Sequence, residues 1–404
     1  MFVLESMLKK YRLLFALFVT ISIPLLFGDY IPYEAKSFFY TISVVVKTFL
    51  TLILPFFVFS FLAHSLISLK EKAIFFIVML LVMVATSNFT AIFTAYGIGS
   101  LVLPIFDMQM NKAIDASLEL SPMVQFSIPQ IIANENAIII GILFGVFFAV
   151  KPNQKVEKVV TQLKNISLTF LKKCFMPILP LFILGFLFKL EHEDMLDRIF
   201  SSYGPVLTLI VVAQWSYIFL LYFIAAKFNL KKTFEYIKNI IPATITGFST
   251  ISSAATMPVT IACTERNLQS QKFAHMIIPA TANIHTLGSA LGITLTALAT
   301  LIAFDHGIPS FITFLIFAFY YTMSKFAVAG IPGGVIIIIS PLLESYLGFS
   351  AEMVGLITAV YLLFDPFGTS ANVTCNGAFA IIFNRVYKAQ EPHKILDRGL
   401  QKNA

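Results

Sequence analysis

Apolar residues occupy the chain in long blocks, and polar residues gather in short connections between them. Blocks near residues 11–28, 36–67, 74–103, 129–151, 156–190 and 204–229 are each about 20 residues or longer, enough for a helix to cross a hydrocarbon core. Several are long enough to tilt strongly. After Lys238 the pattern changes, because Gly, Pro, Ser and Thr interrupt the apolar segments where a simple spanning helix carries Leu or Ile. The stretch from Gly247 to Pro258 (GFSTISSAATMP) has short apolar arms and basic flanks, Lys238 and Arg266. It predicts a hairpin that enters and leaves from the cytoplasm. The stretch from Ala327 to Gly334 (AVAGIPGG) has the same form with outer flanks Asp305/His306 and Glu344/Glu352, and predicts a hairpin entering from outside. Two opposed half-depth hairpins are the mark of inverted repeats whose discontinuous helices meet at the membrane midplane. Non-helical backbone at that depth must be buried in protein or line a cavity.

Composition agrees with the pattern. The 404 residues are 58% hydrophobic and 12% charged, whereas soluble chains are about half apolar and a quarter charged. No soluble segment stands apart, so residues 1–404 read as one membrane domain. Basic residues fall in alternate connections: Lys9/Lys10/Arg12, Lys70/Lys72, Lys151/Lys155/Lys158, Lys227/Lys231/Lys232/Lys238 and Arg385/Lys388/Lys394/Arg398. Those between carry Asp29/Glu34, Asp107/Asp115/Glu119 and Glu191/Glu193/Asp194. This asymmetry places both termini in the cytoplasm, at an inner (plasma) membrane. The formal charge of +7 is then explained by lipid head groups and topology, and nucleic acid is not expected as a partner. Cys174, Cys263 and Cys375 are too scattered for a disulfide framework or a metal knuckle. The first apolar block lacks a small-residue cleavage pattern, so it reads as a transmembrane helix and not as a secretory signal.

Chemistry concentrates in the last apolar segment. Asp365, Thr369, Asn372 and Asn376 stand at i, i+4, i+7 and i+11, one helical stripe, with Gly368 on the same side. Pro366 has no amide hydrogen, which frees the carbonyl of Leu362. A carboxylate in mid-membrane is costly and marks a functional site by default. The plainer alternative is a structural pair between Asp365 and Lys325 or His285. For Thr369 and Asn376 taken singly, helix-to-helix hydrogen bonding competes with ligand contact. The segment from Ile278 to Leu287 (IPATANIHTL) offers Thr281, Asn283 and His285 beside Pro279, and a break there would expose carbonyls suited to a cation. His285 is open to a second reading as a satisfied interior histidine. Lys325 either enters the site or snorkels to the outer surface.

At these residues the sequence resembles the dicarboxylate/amino acid:cation symporters, the family of excitatory amino-acid and archaeal aspartate transporters. The resemblance rests on SSAATMPVT (Ser252 to Thr260), AGIPGG (Ala329 to Gly334), ANIHT and DPFGTSANVTCN, with weaker support from KTFLTLILPFFVFSFLAHSL and Thr86-Ser87. It implies an all-α polytopic membrane protein of eight transmembrane helices plus two re-entrant helical hairpins, a homotrimer working as an elevator. Scaffold elements would lie at about 8–70 and 125–192, and moving transport elements at about 72–105 and 200–390. The resemblance also implies that Asp365 binds a substrate amine and Asn372 an α-carboxylate. Thr369, Gly368, Ser252, Ser253, Ile331, Pro332 and Gly333 would complete the substrate site, with the hairpin tips as inner and outer gates. Thr281, Asn283, His285, Asn376, Lys325, Thr86 and Ser87 fall where the family couples cations.

Departures from the family refine this expectation. Acidic-substrate members carry an arginine at the position of Gly368 or of Ile251, and here neither is present, so a side-chain carboxylate lacks a bidentate partner. Aspartates of the family's sodium sites are replaced by Asn376 and His285, and Lys325 replaces a small polar residue near a third site. The expected protein is therefore not an enzyme but a secondary carrier of a small neutral amino acid, with H+ or Na+ as coupling ion, sodium coupling weak or absent, and no cofactor. The alternative keeps the fold and carries a dicarboxylate on Lys325 or His285, as a symporter or exchanger. An intramembrane aspartyl protease needs two neighbouring carboxylates, and Asp365 has no apparent mid-membrane acidic partner. A channel is the remaining class.

Overall fold

The computed structural model describes residues 15–16, 18–68, 74–106, 120–124, 128, 131–193, 196–328 and 333–390. Among these residues the secondary structure is helical, without a strand. The order is α1 (Phe18–Tyr30), α2 (Tyr33–Ile67), α3 (Ile74–Val102), α4 (Asn134–Val150), α5 (Gln154–Phe170), α6 (Met176–His192) and α7 (Leu196–Ala225). Then follow α8 (Leu230–Thr250), α9 (Ser253–Leu268), α10 (Gln271–Thr281), α11 (Leu287–Ala303), α12 (Phe311–Ser324), α13 (Gly334–Leu347) and α14 (Ala351–Gln390).

By length and apolarity, four stretches among the described residues can each cross a membrane: Phe75–Ile105, Gln154–His192, Tyr203–Ala225 and Ala351–Lys388. A fifth, α2, qualifies as one span bent by 43° between Leu50 and Leu52. Pro55 accounts for the bend, since its ring displaces the carbonyl four residues earlier, at position 51. The span from α5 to α6 passes through a π-helical turn, Leu171–Phe175, just before Pro177 and Pro180. The remaining apolar helices are shorter, among them Leu287–Ala303, Phe311–Ala327 and Gly334–Leu347, as expected where Gly, Pro and polar residues break a span. The architecture is that of a multi-pass membrane protein. Among the described residues, length and apolarity alone do not reach the full set of eight spans.

The helices pack in two groups. α2 lies against α4, α5 and α6, while α14 is the axis of the second group and touches α11, α8, α9, α7 and α13. The groups meet where α6 touches α14 and where α2 meets α13 and the turn Lys325–Ala327.

The arms of the expected hairpins pack on each other as helix pairs, α8 with α9 and α12 with α13. At the first tip, Ile251 adopts φ 51° and its N–H bonds to Gly247 O at 3.0 Å. Ser252 then caps α9 by accepting from Ala255 N at 3.3 Å. A β-branched residue in the left-handed region costs about 1–3 kcal/mol, strain of the kind held at functional sites. At the second tip Gly333 takes φ 70° at no such cost. The neighbouring expected gate residues Ile331 and Pro332 lie outside the described residues.

Candidate functional site

The break between α10 and α11 sets the site. Residues after Thr281 leave the helix, and Thr281 O accepts from the backbone N–H groups of both Ile284 and His285. Asn88 of α3 repairs the exposed backbone: its Nδ2 donates to Ile284 O at 2.8 Å and its Oδ1 accepts from Thr286 N at 3.3 Å. A buried amide spent on backbone in this way keeps the break open without orphaned groups. α14 presses closely on the start of α11. A Cβ at Gly288 would overlap Gly368 O and Ala371 Cβ, so only glycine fits this crossing. α14 itself runs unbroken through Pro366.

Asp365 is buried, at 5% exposure. Its Oδ2 accepts from Gly333 N at 2.8 Å, and its Oδ1 from the hydroxyls of Tyr361 at 3.2 Å and Thr369 at 3.3 Å. These donors are neutral, and no ion pair to Lys325 or His285 is formed, so the structural pairing weighed from the sequence is replaced by a tie to the second hairpin tip. Asn372 faces α11: its Oδ1 accepts from Ser289 N at 3.0 Å and its Nδ2 donates to Ser289 Oγ at 2.9 Å. A Cβ placed on Gly368 meets only Ser289 Oγ, at 3.8 Å, so one added carbon fits beside the stripe and no charged atom lies within contact of it. Hairpin 1 closes the other side, where a Cβ on Gly247 would lie 3.4 Å from Ser370 Cα and 3.5 Å from Thr369 O. Ser252 and Ser253 begin α9 at the tip of that hairpin, with Ser253 buried.

Of the positions expected to couple cations, His285, Asn376 and Ser87 form a second cluster, one turn further along α14. The His285 ring is fully buried, with Nδ1 3.0 Å from Asn376 Oδ1 and Nε2 2.9 Å from Ser87 Oγ. Asn376 also donates to His285 O at 3.3 Å, and Phe379 covers the ring at 4.3 Å between centroids. Lys325 is fully buried and does not snorkel. Its Nζ donates to Thr286 O at 3.0 Å and Thr286 Oγ1 at 2.9 Å and sits 4.7 Å from the centre of the Tyr321 ring, a cation–π arrangement. The carbonyl of Thr286, beside the break, is thus occupied by the Lys325 amine. Thr281 is engaged in its own helix, its hydroxyl on Ile277 O at 3.0 Å. Thr86 is exposed, and the structure does not bring it to the cluster. Asn283 Oδ1 is buried without a hydrogen-bond partner, an acceptor still open to a cation or a proton donor. Among the described residues no three His, Cys, Asp or Glu side chains gather as a metal site.

Sequence reasoning passed over Ser289, Tyr361, Tyr321 and Asn88. Each is an ordinary residue whose role comes from contacts with distant segments: Ser289 meets Asn372 across 83 positions and Asn88 meets Ile284 across 196. Tyr361 stood four residues before Asp365, on the same stripe, and could have been found there.

A buried carboxylate and a broken helix thus meet two packed helix pairs inside a multi-pass helical membrane protein. The chain belongs to the sodium:dicarboxylate symporter family, whose model matches residues 12–386. Among similar proteins is excitatory amino acid transporter 3 of Homo sapiens, 32% identical over 205 residues, which are 50% of this chain and 38% of that relative. Excitatory amino acid transporter 1 of Rattus norvegicus is 30% identical over 183 residues, 45% of this chain and 32% of its own. The serine/threonine transporter SstT of Acinetobacter baumannii is 30% identical over 139 residues, 34% of each chain. The matched stretches therefore span less than half of these relatives' lengths. The relatives are transporters and not enzymes.

Proposed function

We infer that the chain is a secondary carrier of a small neutral amino acid, with Asp365 on the solute's amine and Asn372 on its carboxylate. The observation that carries this reading is the surroundings of Asp365: only neutral donors hold its oxygens, so an ammonium can exchange for them and supply the missing charge. The open flank at Gly368 adds room for a small side chain and no cation for an acidic one. Because Gly333 N–H closes on Asp365 Oδ2, an arriving amine competes with the hairpin tip for the same oxygen. Tip position and occupancy are linked by that competition. Solute moves by elevator alternating access: α3 and α7 to α14 travel against a scaffold of α1, α2, α4, α5 and α6, within a homotrimer whose termini face the cytoplasm.

The coupling ion belongs to the same reading. The family name supports sodium as a co-substrate, and Asn283 Oδ1 would suit it. The other expected ligands are spent on one another: His285 on Asn376 and Ser87, Lys325 on Thr286. Sodium coupling is therefore weak or absent, and protons drive or gate transport through His285 and Lys325. The same engagements leave neither His285 nor Lys325 free for a dicarboxylate.

Counterflow in proteoliposomes, with serine, alanine, aspartate and succinate in sodium and choline buffers, tests the reading. Serine or alanine exchanges in both buffers if it holds. Preference for aspartate or succinate returns the dicarboxylate alternative, and conductance without saturation returns a channel.

A further inference from the structure

Asp365 and Asn372 lie about two turns apart on α14, and α11 bridges them. Asn372 Nδ2 donates to Ser289 Oγ at 2.9 Å, Ser289 Oγ lies 3.0 Å from the Tyr361 hydroxyl, and Tyr361 donates to Asp365 Oδ1 at 3.2 Å. All four side chains are buried. Donor counting fixes the direction of every hydrogen in this chain. A phenol has one hydrogen, and with Asp365 ionised it is committed to the carboxylate. Tyr361 oxygen can then only accept from Ser289. The single hydroxyl hydrogen of Ser289 is thereby used, so its oxygen accepts from the Asn372 amide. Flipping that amide would set its NH2 group against Ser289 N–H, donor to donor, and its carbonyl oxygen against a hydroxyl oxygen whose hydrogen is already committed, acceptor to acceptor. Ser289 itself is pinned by Tyr321, whose hydroxyl donates to Ser289 O at 3.1 Å.

We propose that Ser289 is a positioning residue for the solute: through Tyr361 and Asn372 it makes the amine end and the carboxylate end of the site one hydrogen-bonded unit. The bridge rests on the reading that these two residues bind the solute's charged ends. It holds the Asn372 amide in one orientation and reserves its second Nδ2 hydrogen for a carboxylate. Hydrogen bonds in a buried chain polarise one another, so ionisation of Asp365 strengthens the hold on Asn372. Remove the Ser289 hydroxyl, and the carboxylate ligand loses its orientation while the amine ligand keeps Gly333 and Thr369.

The test is counterflow of labelled L-serine by the full chain in proteoliposomes, comparing wild type with Ser289→Ala, Ser289→Thr, Asn372→Ala and the double variant Ser289→Ala/Asn372→Ala. Ser289→Ala is expected to raise the half-saturation concentration about tenfold, the effect of one oriented hydrogen bond, with the maximal rate within about twofold of wild type. Ser289→Thr keeps the hydroxyl and restores most of the affinity. The double variant is no weaker than Asn372→Ala alone, because the hydroxyl acts through that amide. Unchanged half-saturation in Ser289→Ala overturns the proposal, as do additive losses in the double variant. A residue that merely supports the fold would lower yield and melting temperature without this split. Asp365→Asn separates the two levels: if it carries L-serine like wild type, or if wild type carries none, the site reading itself fails. If Asp365→Asn is inactive and Ser289→Ala is normal, only the bridge fails.

Discussion

Gly333 and Asp365 are joined directly, the backbone N–H of the hairpin tip donating to carboxylate Oδ2 at 2.8 Å. The tip's left-handed φ of 70° aims that amide, and no side chain intervenes. Gate and ligand are therefore one contact apart, and removing the carboxylate's charge should act on both.

Asp365→Asn is expected to lower uptake at least about a hundredfold, since a charge-assisted contact to the amine is lost and an amide NH2 is set among donors. Yield and oligomer profile should stay near wild type. Misfolding together with inactivity, seen by size-exclusion chromatography, would favour a structural carboxylate instead.

Gly368→Arg should shift competition toward aspartate or succinate by about tenfold or more, because a guanidinium beside Ser289 Oγ supplies the bidentate partner that is missing. A Cβ there meets only that oxygen, at 3.8 Å, so the variant can enter without displacing backbone. Unchanged competition in a folded variant would show that this flank does not face the solute.

Among the described residues, two ion pairs cross between the helix groups: Lys189 of α6 with Glu352 of α14 at 2.9 Å, joined by the Tyr40 hydroxyl at 3.2 Å, and Lys47 of α2 with Glu344 of α13 at 3.2 Å. If one group slides on the other, these contacts hold the present arrangement. Glu352→Gln with Glu344→Gln should raise the share of the opposite arrangement about fivefold, the effect of roughly 1 kcal/mol from partly exposed pairs. Spin-label distances between Leu143 of α4 and Ile245 of α8, both exposed, read that share. An identical distance distribution would mean that the pairs do not act as a catch.

Uptake should persist when choline replaces sodium, respond to an imposed pH gradient, and lose that response in His285→Ala or Lys325→Ala. Strict sodium dependence with a saturable curve would contradict this, while pH-insensitive counterflow would favour plain exchange. Histidine and lysine here occupy each other's surroundings through adjacent backbone, since Lys325 binds Thr286, the residue after His285. Neither variant is expected to leave the second intact.

The parts legible in the sequence were those with a local period or a local interruption. Asp365, Thr369, Asn372 and Asn376 are spaced for one helix face, and the structure buries all four. The hairpins announced themselves through Gly, Pro and Ser in apolar context, whereas the bend of α2 at Pro55 was passed over. Partners were not legible. Lys325 could have turned outward or inward from the same helix end, and only packing on Tyr321 and Thr286 decides. Ser289 carries no signal beyond being a serine in an apolar helix, and its importance exists only once α11 and α14 cross at Gly288. Thr86 illustrates the converse: the motif pointed to the pair Thr86-Ser87, and the helix turns only Ser87 toward His285.

Recognition of an amine by Asp365 is the centre of this account. The most direct test is competition against labelled L-alanine counterflow by L-alanine, alaninamide, propionate and succinate, in wild type and Asp365→Asn. The account predicts strong competition by L-alanine, weaker competition by alaninamide, which lacks the carboxylate, and least by propionate and succinate, which lack the amine. Asp365→Asn should abolish transport. Succinate or propionate competing as well as L-alanine, or an active Asp365→Asn with unchanged preference, would contradict it.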